Sequence, residues 1–171
     1  MLYHLALPML FFAALSGPAM AGDWEECADM AHRDRSILAC SKIIESGRAS
    51  GETLALAYHN RGNGYYAERD FDRSLADYTE AIRLAPHRGS AYTSRGFAYS
   101  AKNDGARAIA DFTEAIRIDP RDARNYEARG VLLATDPAKL DQAVADLRKA
   151  LSLDPKSQVS RGVLKQMGVT P

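Results

Sequence analysis

YTSRGFAYSAKNDGARAIADFTEAIRIDP, residues 92–120, recurs in altered form on both sides of itself. A shift of 34 residues carries Tyr58 onto Tyr92 and Tyr126, and brings Arg61-Gly62, Arg95-Gly96 and Arg129-Gly130 into register. The second half repeats as well: LADYTEAIRLAP ends at Pro86, IADFTEAIRIDP at Pro120 and VADLRKALSLDP at Pro155. A fixed period of this size means that each unit is one supersecondary piece. It cannot bury its apolar face alone and stacks on its neighbours.

Within the middle unit, Tyr92, Gly96 and Tyr99 share one face at steps of four and three, and Ala108, Phe112 and Ala115 do the same further on. The spacing predicts two amphipathic helices. Asn103-Asp104-Gly105 between them is turn chemistry, with Asn and Gly tolerant of positive φ and Asp able to cap the second helix. Asp119-Pro120 ends that helix, because Pro lacks an N–H and clashes with the preceding turn.

At these positions the chain resembles the tetratricopeptide repeat family, whose pattern is filled by Tyr92, Gly96, Tyr99, Ala108, Phe112, Ala115 and Pro120. The first copy matches at Tyr58, Gly62, Tyr65, Tyr78, Ala81 and Pro86, with Ser74 where the pattern has Ala. The third keeps Tyr126, Gly130, Ala143, Ala150 and Pro155 but replaces both aromatics, with Leu133 and Leu147, and adds a residue around Thr135-Asp136-Pro137. The resemblance implies an all-α fold, a right-handed α-solenoid of antiparallel helix pairs. It places repeats at 55–88, 89–122 and 123–157.

A length of 171 residues, zero formal net charge and 26% charged residues describe an ordinary protein surface. That balance invites neither nucleic acid nor an acidic membrane. Residues 1–21, MLYHLALPMLFFAALSGPAMA, contain no Lys, Arg, Asp or Glu. The apolar run Leu5–Leu15, then Gly17-Pro18 and Ala19-Met20-Ala21, reads as a secretory signal peptide cut before Gly22. The rival reading, a membrane span, needs about 20 apolar residues, and this run is shorter and broken by Pro8. The expected location is therefore secreted or periplasmic, with no membrane span once the leader is removed.

Residues 22–50 carry Ile37, Leu38, Ile43 and Ile44, with Gly47 as a helix C-cap, and look like a capping half-repeat. Laying ILACSKII over LADYTEAI puts Cys40 and Cys27 at two positions that, in the family, lie on facing helix surfaces. The resemblance thus implies a disulfide between them, which an exported protein retains; two buried thiols are the alternative. Two Cys alone are too few ligands for a metal site. At the other end, residues 158–171 read as a capping segment. KSQVSRGVLKQM, residues 156–167, forms a helix with Val159, Val163, Leu164 and Met167 on the side facing the last repeat.

Each repeat carries an Arg and an Asp at the same two places, Arg61 with Asp77, Arg95 with Asp111 and Arg129 with Asp146. Threefold recurrence at otherwise apolar sites points to structural ion pairs rather than an anion-binding stripe. His32, His59 and His87 have no partner at metal-ligand spacing and are expected on the surface or in a groove. There is no GxSxG elbow, and Arg61-Gly62-Asn63-Gly64 lies inside a helix rather than after a strand. The sequence points to no reaction, metal or cofactor.

Function then rests on surface shape. The resemblance implies a concave groove along the first helices, lined by His59, Asn60, Asn63 and Tyr66, then Thr93, Ser94, Phe97 and Ser100, then Arg124, Glu127 and Val131. Such a surface suits an extended peptide or a partner helix. One version of the family, a clamp for a chaperone's terminal carboxylate, is matched in kind only by Asn63 and Arg124; His59, Ser94 and Ala128 depart from it. The expected function is a non-enzymatic protein-binding module of the cell envelope. The alternative is an assembly subunit that works through its convex face.

Overall fold

The second helix of each of the first two repeats starts at an aspartate. Asp70 accepts the backbone N–H of Arg73, and Asp104 that of Arg107. Each thereby satisfies one of the donors that the first turn of a helix leaves without a partner. The residue before each of these aspartates, Arg69 and Asn103, takes a left-handed conformation, φ 65° and 60°. Asn adopts it readily, whereas Arg69 does so because the turn geometry of the repeat demands it.

The computed structural model describes residues 18–29 and 31–170. Among them the helices are α1 (Pro18–Ala28), α2 (Arg33–Glu45), α3 (Gly51–Ala67), α4 (Phe71–Leu84), α5 (Gly89–Ala101), α6 (Gly105–Ile118), α7 (Ala123–Leu133), α8 (Leu140–Leu153) and α9 (Gln158–Gln166). A 3₁₀ turn, Pro137–Lys139, takes up the extra residue of the third repeat. No strand occurs among the described residues, and each helix packs chiefly on those next to it in sequence. That is a helical solenoid. No helix among the described residues is long and apolar enough to cross a membrane.

The seam of each pair depends on one glycine. A Cβ on Gly62 would lie 2.8 Å from the ring of Tyr78, one on Gly96 2.8 Å from that of Phe112, and one on Gly130 2.9 Å from Leu147 Cγ. Tyr78, Phe112 and Leu147 are each buried to 1% exposure or less. The bulky group of the second helix occupies the space that the glycine of the first leaves empty, which is how close packing is reached.

At the amino-terminal end the sizes are reversed. Cys40 stands where the later pairs have Tyr78, Phe112 and Leu147, and Trp24 stands where they have glycine; Trp24 packs against the cluster of Cys27, Ala39, Cys40, Ile43 and Ala57. Cys27 and Cys40 are joined in a disulfide with their Cα atoms 4.8 Å apart, fully buried. Ser36 donates to the Cys27 carbonyl at 2.8 Å. Residues 22–50 therefore hold parts of two antiparallel helices, α1 and α2, covalently tied. The expected leader lies mostly in residues 1–17, outside the described residues, and its cleavage point before Gly22 falls within α1.

The carboxy-terminal helix α9 departs from its expected packing at one position. Leu164 is buried, but Val159 is 53% exposed and only borders the last repeat, beside Ala128, Val131 and Leu132. The inward place is taken by Ser160, fully buried, whose hydroxyl donates to Glu127 at 2.7 Å. This charge-assisted bond rotates the start of the helix and turns Val159 outward.

The disulfide closes a short loop, and in the chain-entropy model such closure is worth about 3 kcal/mol. Reduction, or the C27A/C40A double substitution, should lower the melting temperature while far-ultraviolet circular dichroism stays largely helical. Free alkylation of both thiols in native, oxidised protein would contradict this arrangement.

Candidate functional site

The three repeats are tied by one motif used three times. Arg61 on α3 donates through Nε and Nη2 to the two carboxylate oxygens of Asp77 on α4, both at 2.8 Å. Arg95 does the same to Asp111 at 2.8 and 2.8 Å, and Arg129 to Asp146 at 2.7 and 2.8 Å. The remaining Nη1 reaches back to the preceding helix pair: Arg61 to Ser41 at 3.1 Å, Arg95 to Thr79 at 3.2 Å, Arg129 to Thr113 at 3.0 Å. Each guanidinium thus holds three helices. The hydrogen bonds to the aspartates raise the pKa of all three arginines, so their charge is permanent.

The face built by α3, α5 and α7 carries the residues expected in the groove, but most of their polar groups are already engaged. Thr93 is 5% exposed and is closed off from the groove, because its hydroxyl donates to Asn125, a buried residue on α7, at 2.8 Å. His59 and Ser94 are hydrogen-bonded to each other at 3.0 Å across α3 and α5. Asn63 accepts from the Tyr78 hydroxyl at 2.9 Å, and the Asn60 amide points at the Cys27 sulfur, 3.9 Å away. Glu127 accepts from the hydroxyls of Ser157 and Ser160 and so anchors α9. Arg124 donates to its neighbour Asp122 through Nε at 3.0 Å and Nη2 at 2.7 Å. Asn125 and Ser160 are the residues that sequence reasoning missed; each is a polar group on a helix face otherwise read as solvent or apolar.

The aromatic and apolar groups are freer. Tyr66 rests tilted against Phe71, centroids 5.5 Å apart, and Phe97 stands edge-on to Phe112 at 5.1 Å. Phe97, Ser100, Phe112, Arg124, Glu127, Ala128, Val131, Leu132 and Val159 line an open cleft of about 440 Å³ between α5, α7 and α9. Its size and lining are those of a site that takes an organic group rather than an ion. Outside the groove, His32 pairs with Asp29 at 2.7 Å and His87 with Glu52 at 2.7 Å, both exposed. Among the described residues no group of three or more His, Cys, Asp or Glu could hold a metal ion.

The surroundings of His59 act strongly on it. Burial against Tyr78, its ring 5.7 Å away, and then the charge of Arg88 push its pKa down from 6.5 to about 4, with a hydrogen bond to the Ser90 backbone opposing them. In the unfolded chain the imidazole protonates near 6.5, and in the folded chain only near 4. Between those values the unfolded state binds more protons, so this contribution is present above pH 6.5 and is lost as pH falls towards 4. The slope is on the order of 1 kcal/mol per pH unit. Denaturant unfolding of wild type and His59→Gln from pH 7 to 4 should show wild type losing stability relative to the variant; a constant difference would count against it.

Models of the tetratricopeptide repeat match residues 55–88, 89–122 and 125–157, together more than half of the chain. Nothing among curated proteins matches it. Solved structures do. The first tetratricopeptide domain of Spaghetti (RPAP3), bound to the HSP90 peptide SRMEEVD, superposes with a TM-score of 0.66 at 24% identity, over 70% of this chain and 94% of that one. The second such domain of human RPAP3, in complex with the HSP70 peptide SGPTIEEVD, gives 0.62 at 26% identity, over 67% and 94%. MamA gives 0.65 at 23%, over 72% and 70%. The first and last of these are likenesses of fold. With three matched repeats and the helix pairs that carry them, the chain belongs to the tetratricopeptide repeat family.

Proposed function

We propose that this protein is a non-enzymatic binding module of the cell envelope that takes an extended segment of a partner protein along the face built by α3, α5 and α7. The observation that carries the reading is the open apolar cleft at one end of that face, continuous with Phe97. The human RPAP3 domain, similar in fold and 26% identical, holds a peptide. Export is supported by the uncharged residues 1–21 and the Ala19-Met20-Ala21 triplet, and a buried disulfide is at home outside the cytosol.

A second reading, an assembly subunit acting through the convex side, is favoured by one feature. Ile109, Thr113, Arg129, Leu133, Gln142, Ala145 and Asp146 surround a notch of about 320 Å³ on that side. Three of these seven residues are the Arg129–Asp146 pair and its hydroxyl partner Thr113, whose hydrogen bonds are made within the chain. The groove reading is therefore preferred.

Large rigid side chains dominate binding energy when they are desolvated, so Tyr66→Ala or Phe97→Ala should weaken the partner by roughly 1–3 kcal/mol. If the partner is acidic, Arg124→Ala should change mainly the salt dependence. Arg83→Ala and Arg117→Ala, which remove exposed pairs with Glu80 and Glu114, should do little. Circular dichroism must show Phe97→Ala folded, since that ring also touches Phe112. Normal binding by the groove variants with failure of the convex ones would transfer the function to the other face. Protein purified from its native host should begin at Gly22; a sequence starting at Met1 would remove the case for export.

A further inference from the structure

We propose that the cleft between α5, α7 and α9 is an anchor pocket for one aliphatic or aromatic side chain in an uncharged, internal stretch of the partner, and that no terminal carboxylate is read there. The proposal rests on the groove reading and specifies its chemistry. Its walls are Phe97, Phe112, Ala128, Val131, Leu132 and Val159. Val159 is 53% exposed in a helix whose other apolar side chains are covered or half-covered, so the cleft keeps its apolar surface in contact with water until something fills it.

Charge decides what that something is. Two ionised groups stand at the rim, and both are hydrogen-bonded within the chain, though only Arg124 is paired with an opposite charge. Glu127 accepts from the hydroxyls of Ser157 and Ser160, and Arg124 spends Nε and Nη2 on Asp122. A carboxylate placed in the cleft would meet the charge of Glu127 with the opposing guanidinium already neutralised, and a cation would gain only a carboxylate committed to two hydroxyls. Desolvating an ion there has no return, whereas an apolar side chain loses water from both surfaces at once. The groove leading to the cleft reinforces this. Asn63 is held by Tyr78, His59 by Ser94 and Thr93 by Asn125, so polar recognition would have to break bonds that already exist.

A randomised dodecamer library displayed with its carboxyl end fused, so that no free terminus is offered, tests this on the disulfide-intact chain. Enriched sequences should share a Leu, Ile, Met, Phe or Trp at one position. The best synthetic peptide, amidated, should bind as well as its free acid and lose at least tenfold in affinity when the anchor is changed to Ala. Val159→Glu, a surface substitution that leaves the core untouched, should cost a similar factor, and Arg117→Ala none. Enrichment of acidic peptides without an apolar anchor, or binding that needs the free carboxylate, overturns the proposal. So does self-association of the chain that Val159→Glu disperses, which would make a second copy the occupant. If selected peptides ignore Val159→Glu but lose affinity with Tyr66→Ala, the anchor is refuted and the groove reading stands; if they ignore both, the two fall together.

Discussion

The rest of the structure depends on a buried guanidinium that must be neutralised in place. Arg61, Arg95 and Arg129 have side chains only 18 to 20% exposed, and each meets its aspartate bidentately. Removing such a pair from water costs about as much as its attraction returns, so the pairs are no proof of added stability. Their value lies in direction. A planar fork on a carboxylate tolerates little rotation, and the third donor, reaching Ser41, Thr79 or Thr113, extends the constraint to the preceding pair. The same three-helix tie applied at a period of 34 residues gives each helix pair the same relation to the one before.

Aromatic rings close the two earlier ties. Arg61 lies over Tyr58 and Tyr65, and Arg95 over Tyr92 and Tyr99, at 5.5 to 6.0 Å from the ring centroids. A second arginine stacks on the outer face of Tyr65 and Tyr99: Arg73 at 4.3 Å and Arg107 at 4.5 Å, each also bonded to its helix-capping aspartate. In the third repeat Leu133 replaces the tyrosine and Gln142 the second arginine, and the 3₁₀ turn occupies the corner. The one-residue insertion and the lost aromatic belong to the same local change, since without the ring there is no stack for the corner to preserve.

Much of this was legible in the residues because a repeat states its own rules three times. The Gly62, Gly96 and Gly130 positions and the Arg–Asp partners follow from register, and the facing cysteines from the resemblance to the family. What register hides is the exchange between units. Thr93 occupies a position that the template leaves open, yet Asn125 in the next repeat takes its hydroxyl, and no periodic rule pairs two residues that occur together only once. Trp24 opposite Cys40 was missed for a related reason: the size swap appears only when both members are compared with Gly and Tyr in the later pairs. Ser160 turned Val159 outward through a bond to Glu127, a residue 33 positions away that the pattern assigned to a partner.

The two ends of the solenoid solve different problems, and the difference places the cleft. At the amino end the disulfide and Trp24 pack into one cluster with Ala39, Ile43 and Ala57, leaving Cys27 and Cys40 without exposure. At the carboxyl end α9 is nine residues long, shorter than the first helix of any repeat, and it seats Leu164 and Ser160 while leaving Val159 in water. The corresponding side chains along the first helices run from Asn63 to Phe97 to Val131, polar and tied down first and apolar last. Beside α9, which Glu127 holds through Ser157 and Ser160, the α3–α5–α7 face thus carries an open apolar cleft whose rim charges are already hydrogen-bonded within the chain.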